Sequence, residues 1–82
     1  MRPSTFYQLS QTNQLKLLYF DAVYIREREK GSFTIRLFMF GSYYYEIWQL
    51  KSNGKLHCIN YLDDNDAATL FPGVSEWKVG RH

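Results

Sequence analysis

The chain has 82 residues, 45% hydrophobic and 22% charged, a composition that fits one small α+β domain spanning residues 1–82 and excludes a disordered segment. Ten basic and eight acidic residues leave a net charge of +2, too balanced to point to nucleic acid. The lone cysteine, Cys58, excludes an internal disulfide framework and favours a reducing compartment. Met1–Thr5 carries no apolar signal core, and no apolar run approaches the roughly 18 residues of a membrane span. A cytoplasmic protein without a membrane segment is therefore expected.

Aromatic residues stand out: seven Tyr, six Phe and two Trp, 18% of the chain. Each buried ring removes a large apolar area from water, which lets a short chain fold on few residues, and aromatics favour strands.

In chain order, Met1–Thr5 reads as a loose arm, because Pro3 disfavours helix at Arg2. Phe6–Phe20 reads as the main helix. Leu15, Leu18 and Tyr19 fall on one side of it, with Gln8, Gln11 and Gln14 among the polar positions. Ser10 or Thr12 suits its cap, leaving Phe6-Tyr7 as a lead-in that folds over the sheet. Asp21–Glu29 reads as a strand whose charged end, Arg26-Glu27-Arg28-Glu29-Lys30, runs into solvent and guards a sheet edge. Leu18, Ala22 and Ile25 also fit a helix continued to Ile25, but the β-favouring triplet Val23-Tyr24-Ile25 decides for a strand.

Two further hairpins follow. Phe33–Phe40 joins Tyr43–Lys51 through Gly41-Ser42, a II′ signal, and Asn53-Gly54 joins this strand to Lys55–Leu62 as a type I′ signal. Two-residue loops set the register: Phe40 opposite Tyr43, Phe38 opposite Tyr45, Leu37 opposite Glu46 and Ile35 opposite Trp48. On the last strand they set Leu50 opposite His57, Trp48 opposite Ile59 and Glu46 opposite Tyr61. Phe33, Ile35, Leu37, Trp48, Leu50 and Ile59 then share one face. Phe38, Phe40, Tyr43, Tyr45, Ile47, Cys58 and Leu62 share the other. A one-residue slip in either hairpin changes these sets.

Both faces are apolar, and one helix covers only one of them. An uncovered aromatic face exceeds what monomers usually expose, so Phe38, Phe40, Tyr43, Tyr45 and Ile47 are candidate interface residues. The expected function is a protein-interaction or self-associating, homodimeric module acting through that face. The alternative is a small-ligand or peptide module with a pocket near Glu46 and Trp48. Past the sheet, Asp64 or Asp66 suits the cap of a short helix through Leu70, ended by Pro72-Gly73. Val74–His82 reads as a weakly ordered tail, with Trp77 a candidate to dock on the sheet.

No pattern supports catalysis. Asp63-Asp64-Asn65-Asp66 lacks the Gly and Glu of a calcium loop. His57, Cys58 and His82 lack metal-ligand spacing, and adjacent strand positions send His57 and Cys58 to opposite faces, against both a shared metal and a nucleophilic pair. Arg36, Lys51 and Lys55 lie among strand aromatics, but Phe38–Tyr45 holds no basic residue, unlike a single-strand nucleic-acid platform. Neither an enzyme, a metal, a cofactor nor nucleic acid is expected. Glu46, on the Leu37 and Trp48 face, needs a partner there. Arg26 or Arg28 supplies it if Lys30-Gly31 forms the loop, and Glu27 approaches instead if the loop is longer. Arg26, Glu27, Arg28 and Glu46 are thus candidate polar-pocket residues.

Lys16-Leu17-Leu18, Val23-Tyr24-Ile25-Arg26-Glu27-Arg28, Gly31, Leu37-Phe38-Met39-Phe40 and Tyr43-Tyr44-Tyr45-Glu46-Ile47-Trp48 resemble a family of small bacterial proteins without an assigned activity. That family carries Leu-Leu, Glu-Arg, Leu-Tyr and Phe-Tyr-Val-Glu segments. The resemblance covers Leu15–Trp48. Leu70-Phe71-Pro72-Gly73 echoes the family's closing Leu-x-Pro-Tyr-Leu in part, without its Tyr-Leu. It implies a bacterial source and draws attention to Glu27, Arg28 and Glu46.

Overall fold

A computed structural model describes residues 2–74. It has helices α1 (Pro3–Gln8) and α2 (Gln11–Phe20), strands β1 (Val23–Lys30), β2 (Phe33–Phe40), β3 (Tyr43–Leu50) and β4 (Leu56–Leu62), and helix α3 (Asp64–Leu70). The strands form one antiparallel sheet in the order β1-β2-β3-β4. The architecture is the expected α+β meander with N-terminal helices and a short C-terminal helix.

The N-terminal arm is corrected to a helix. Pro3 sits at its first position, where the missing N–H costs nothing and the fixed φ suits the turn. Arg2 is extended, as a residue before proline should be. Ser10 caps α2 by accepting from the Asn13 N–H at 3.2 Å. Gln14 is buried rather than solvated. Its amide donates to the Phe6 and Leu9 carbonyls, both at 3.2 Å, tying α2 to the end of α1. The first strand starts at Val23, two residues later than expected, because α2 runs to Phe20.

Gly31-Ser32, not the expected Lys30-Gly31, forms the first two-residue loop, with Lys30 opposite Phe33. Gly41-Ser42 forms the second, with the expected register along β2–β3. In both loops only the glycine has positive φ, 57° and 62°, the pattern of a II′ turn. A β-bulge between Tyr24 and Arg26 turns Ile25 into the core.

The third hairpin overturns its expectation. Asn53 has no positive φ, so a type I′ turn at Asn53-Gly54 is not made; Gly54 alone takes φ 71°. The loop is longer: the Gly54 N–H donates to Leu50 O, the Leu50 N–H to Lys55 O, and the Lys55 N–H to Asn53 Oδ1. This loop sets Gln49 opposite Leu56, and a β-bulge at His57 then displaces the rest of β4 by one residue. Trp48 faces Cys58, Ile47 faces Ile59, Glu46 faces Asn60 and Tyr45 faces Tyr61. Ile59 moves to the Phe38 side of the sheet, and Cys58 and Leu62 to the Ile35 side.

Each face has its own core. On the Phe38 face, α1 and α2 place Phe6, Leu18, Leu9, Leu15 and Leu17 over Phe38, Tyr45, Ile47 and Ile59. On the Ile35 face, Ala67 of α3, Phe71 and Val74 close over Ile25, Ile35, Leu37, Met39, Tyr44 and Leu62, with Phe33 and Trp48 at the margin. Asp63, not Asp64 or Asp66, caps α3 by accepting from the Asp66 N–H at 2.7 Å. Val74 is buried, against its reading as tail. Trp77 and His82 lie outside the described residues.

Candidate functional site

Glu46 is 2% exposed on the Ile35 face. Register places both Arg26, opposite Leu37, and Arg28, opposite Ile35, on the side from which Glu46 projects, and Arg28 is the one that pairs with it. An Arg28 N–H donates to Glu46 Oε2 at 3.0 Å, and the Trp48 indole donates to Oε1 at 3.0 Å. The guanidinium also lies 5.6 Å from the Trp48 ring centre and 5.3 Å from that of Phe71. The carboxylate is thus satisfied on both oxygens by groups of its own chain. Arg26 turns instead to the Pro72 carbonyl at 2.8 Å, fixing the end of α3 to β1. Glu27 points to the opposite face, where it accepts from the Tyr24 hydroxyl and lies 3.9 Å from Arg36. The four polar-pocket candidates are therefore split: Arg28 and Glu46 meet, and Arg26 and Glu27 do not join them.

The thiol nearby does not offer a nucleophile. Burial pushes the Cys58 pKa up, an Asn60 hydrogen bond opposes this, and the Glu46 charge adds to the rise. The thiol form then prevails at neutral pH. The register shift beside Gln49 brings the His57 ring to 4.7 Å from Phe33, on the side that carries Cys58. This corrects the expected split of His57 and Cys58 to opposite faces. Among the described residues no cluster of His, Cys, Asp or Glu is arranged to hold a metal.

The five interface candidates are corrected by the N-terminal helices. Phe38, Tyr45 and Ile47 are buried and Phe40 and Tyr43 half-buried beneath them. The Phe6 ring lies 4.2 Å from that of Tyr45. Ser10 divides the N-terminal stretch into two short helices, and this break lets one stretch cover the whole face. The buried Tyr45 hydroxyl has no hydrogen-bond partner among the described residues, and burial raises its pKa to about 12.

The aromatic surface left open lies at the corner of α2 and β1. Phe20, the last residue of α2, is 82% exposed, and Tyr19 and Tyr24 are 48% and 46% exposed. The Tyr19 and Tyr24 rings both lie edge-on to Phe38, each 5.6 Å between centres. Together with Glu27 and Arg36 they line a cleft of about 370 Å³. Helical spacing signals this corner: Phe20 falls off the Leu15–Leu18 stripe, so an aromatic residue must face water there.

The two sheet edges differ. β4 is plugged by Tyr7, whose hydroxyl donates to the Ile59 carbonyl at 3.2 Å and accepts from the Tyr61 N–H. β1 has no such plug among the described residues. No known protein family, curated protein or solved structure matches the chain.

Proposed function

We propose that this chain is a protein-interaction module whose contact surface is the aromatic corner of α2 and β1. The observation that carries this reading is the exposure of Tyr19 and Tyr24 around one Phe38-floored cleft, with Phe20 exposed at the adjoining end of α2, beside a sheet edge unplugged among the described residues. An isolated exposed Leu or Tyr is ordinary; a contiguous aromatic group is the usual composition of a contact surface. Rings order at low entropic cost, so they suit recognition by a small rigid domain. The Arg28–Glu46–Trp48 group serves as a structural tie, since Glu46 is 2% exposed and both its oxygens are bonded within the chain.

A photo-reactive phenylalanine analogue at position 20 tests the reading, with the same group at His57 as control. Adducts at position 20, absent at position 57 and lost with Tyr24→Ser, are expected. A second copy in those adducts identifies a homodimer, and another chain a heterologous partner. Equal adducts at both positions, or none at position 20, contradict the reading.

A further inference from the structure

The β1 edge carries an alternation of charge that runs in phase with its hydrogen bonding. In a two-residue hairpin the residues flanking the loop exchange both backbone bonds. Lys30, Arg28 and Arg26 therefore direct their N–H and C=O groups to β2, opposite Phe33, Ile35 and Leu37. Glu27 and Glu29 direct theirs outward. The cations Arg26, Arg28 and Lys30 project on the Ile35 face and the anions Glu27 and Glu29 on the Phe38 face. An added antiparallel strand bonds only to the outward residues. A second copy that pairs Glu27 or Glu29 with these same two residues of its partner also sets Arg28 against Arg26, Arg28 or Lys30. Directly opposed like charges destabilise a strand pair. The edge thus disfavours antiparallel pairing with itself while keeping its backbone groups available. β4 shows how this chain closes an edge it does not use: a phenol fills the outward bonds of Ile59 and Tyr61.

We infer that the β1 edge takes an extended segment of a partner protein as an additional antiparallel strand, with acidic residues on the Ile35 face and basic residues on the Phe38 face. On the Ile35 face, the β2 neighbours of Arg26 and Arg28 are Leu37 and Ile35. Arg28 is already engaged by Glu46 from β3, so the incoming acids meet the exposed Arg26, one N–H of which donates to the Pro72 carbonyl, and the exposed Lys30. On the Phe38 face, Arg36 and Lys51 already flank Glu27 and Glu29 at 3.9 and 3.4 Å, and the incoming bases supply the other flank. The bulge at Ile25 limits the docking stretch to residues 26–30. This inference rests on the interaction-module reading and specifies its partner.

The test uses the full chain, isotopically labelled, and the blocked peptide Thr-Glu-Lys-Glu-Lys-Glu-Thr as probe. Binding is followed by NMR on backbone amides. The expected result is a saturable shift at the Glu27 and Glu29 amides and slower hydrogen exchange there. Methylating both lysine nitrogens of the peptide backbone removes the effect, because donors are lost while charge is kept. The variant Glu27→Lys/Glu29→Lys, altered only at exposed positions, binds about tenfold more weakly. Added salt weakens binding to the native chain. No shift at saturating peptide overturns the inference, as do Glu27 and Glu29 amides already protected in the free monomer or in a homodimer. If these fail while adducts at position 20 persist, the corner remains the contact surface and the strand partner is removed. If both fail, the interaction-module reading falls.

Discussion

At the scale of single residues, Glu46 and Tyr45 are neighbours in sequence but carry opposite liabilities. Glu46 is buried, with one hydrogen bond to each carboxylate oxygen, from Arg28 and from Trp48. Removing a charge from such a group leaves its partner without compensation. Glu46→Gln is expected to destabilise the fold by about 1–3 kcal/mol, measured by urea unfolding; no change in midpoint contradicts the tie. Tyr45 buries a hydroxyl that has no partner. Burial favours the neutral phenol, so its folded pKa of about 12 exceeds the ordinary 10.0. The unfolded chain then loses the proton first. This stability is full below pH 10 and is lost as pH rises through 12. Tyr45→Phe is expected to flatten the alkaline decline between those values without weakening the fold at neutral pH. An unchanged alkaline limb contradicts that assignment.

At the scale of elements, the legible parts were those set by short local signals. Gly41-Ser42 needed positive φ only at glycine, and the β2–β3 register followed; the first loop is Gly31-Ser32 rather than Lys30-Gly31, a shift that still leaves Arg26 and Arg28 on the Glu46 face. Asn53-Gly54 failed because the strongest hairpin dipeptide competed with a four-residue alternative. In it, Gly54 closes a wider turn and the Asn53 side chain takes the Lys55 N–H. The dipeptide alone cannot distinguish these outcomes, and neither outcome announces the bulge at His57, which exchanges Ile59 for Cys58 across the sheet. Tyr7 was equally illegible, because its role depends on two backbone groups 52 and 54 residues away. Tyr7→Phe deletes both bonds and reopens the β4 edge. A loss of about 1–2 kcal/mol is expected, with concentration-dependent association by light scattering. A monomer of unaltered stability contradicts the plug.

At the scale of the whole molecule, composition correctly showed that the sheet has two apolar faces. It did not show that the chain covers both. The short helix α1 on one side, and Phe71 with Val74 on the other, are too brief to announce themselves by periodicity. The surface expected at the middle of the sheet is instead core, and the exposed rings lie at the α2–β1 corner. Hydroxyl-radical footprinting of the native chain, read residue by residue, tests this division most directly. Phe20, Tyr19 and Tyr24 are expected to label fast, and Phe6, Phe38, Tyr45 and Ile47 to stay protected. Labelling of Tyr45 and Ile47 as fast as Phe20 would show the Phe38 face open, and would contradict the corner as the contact surface.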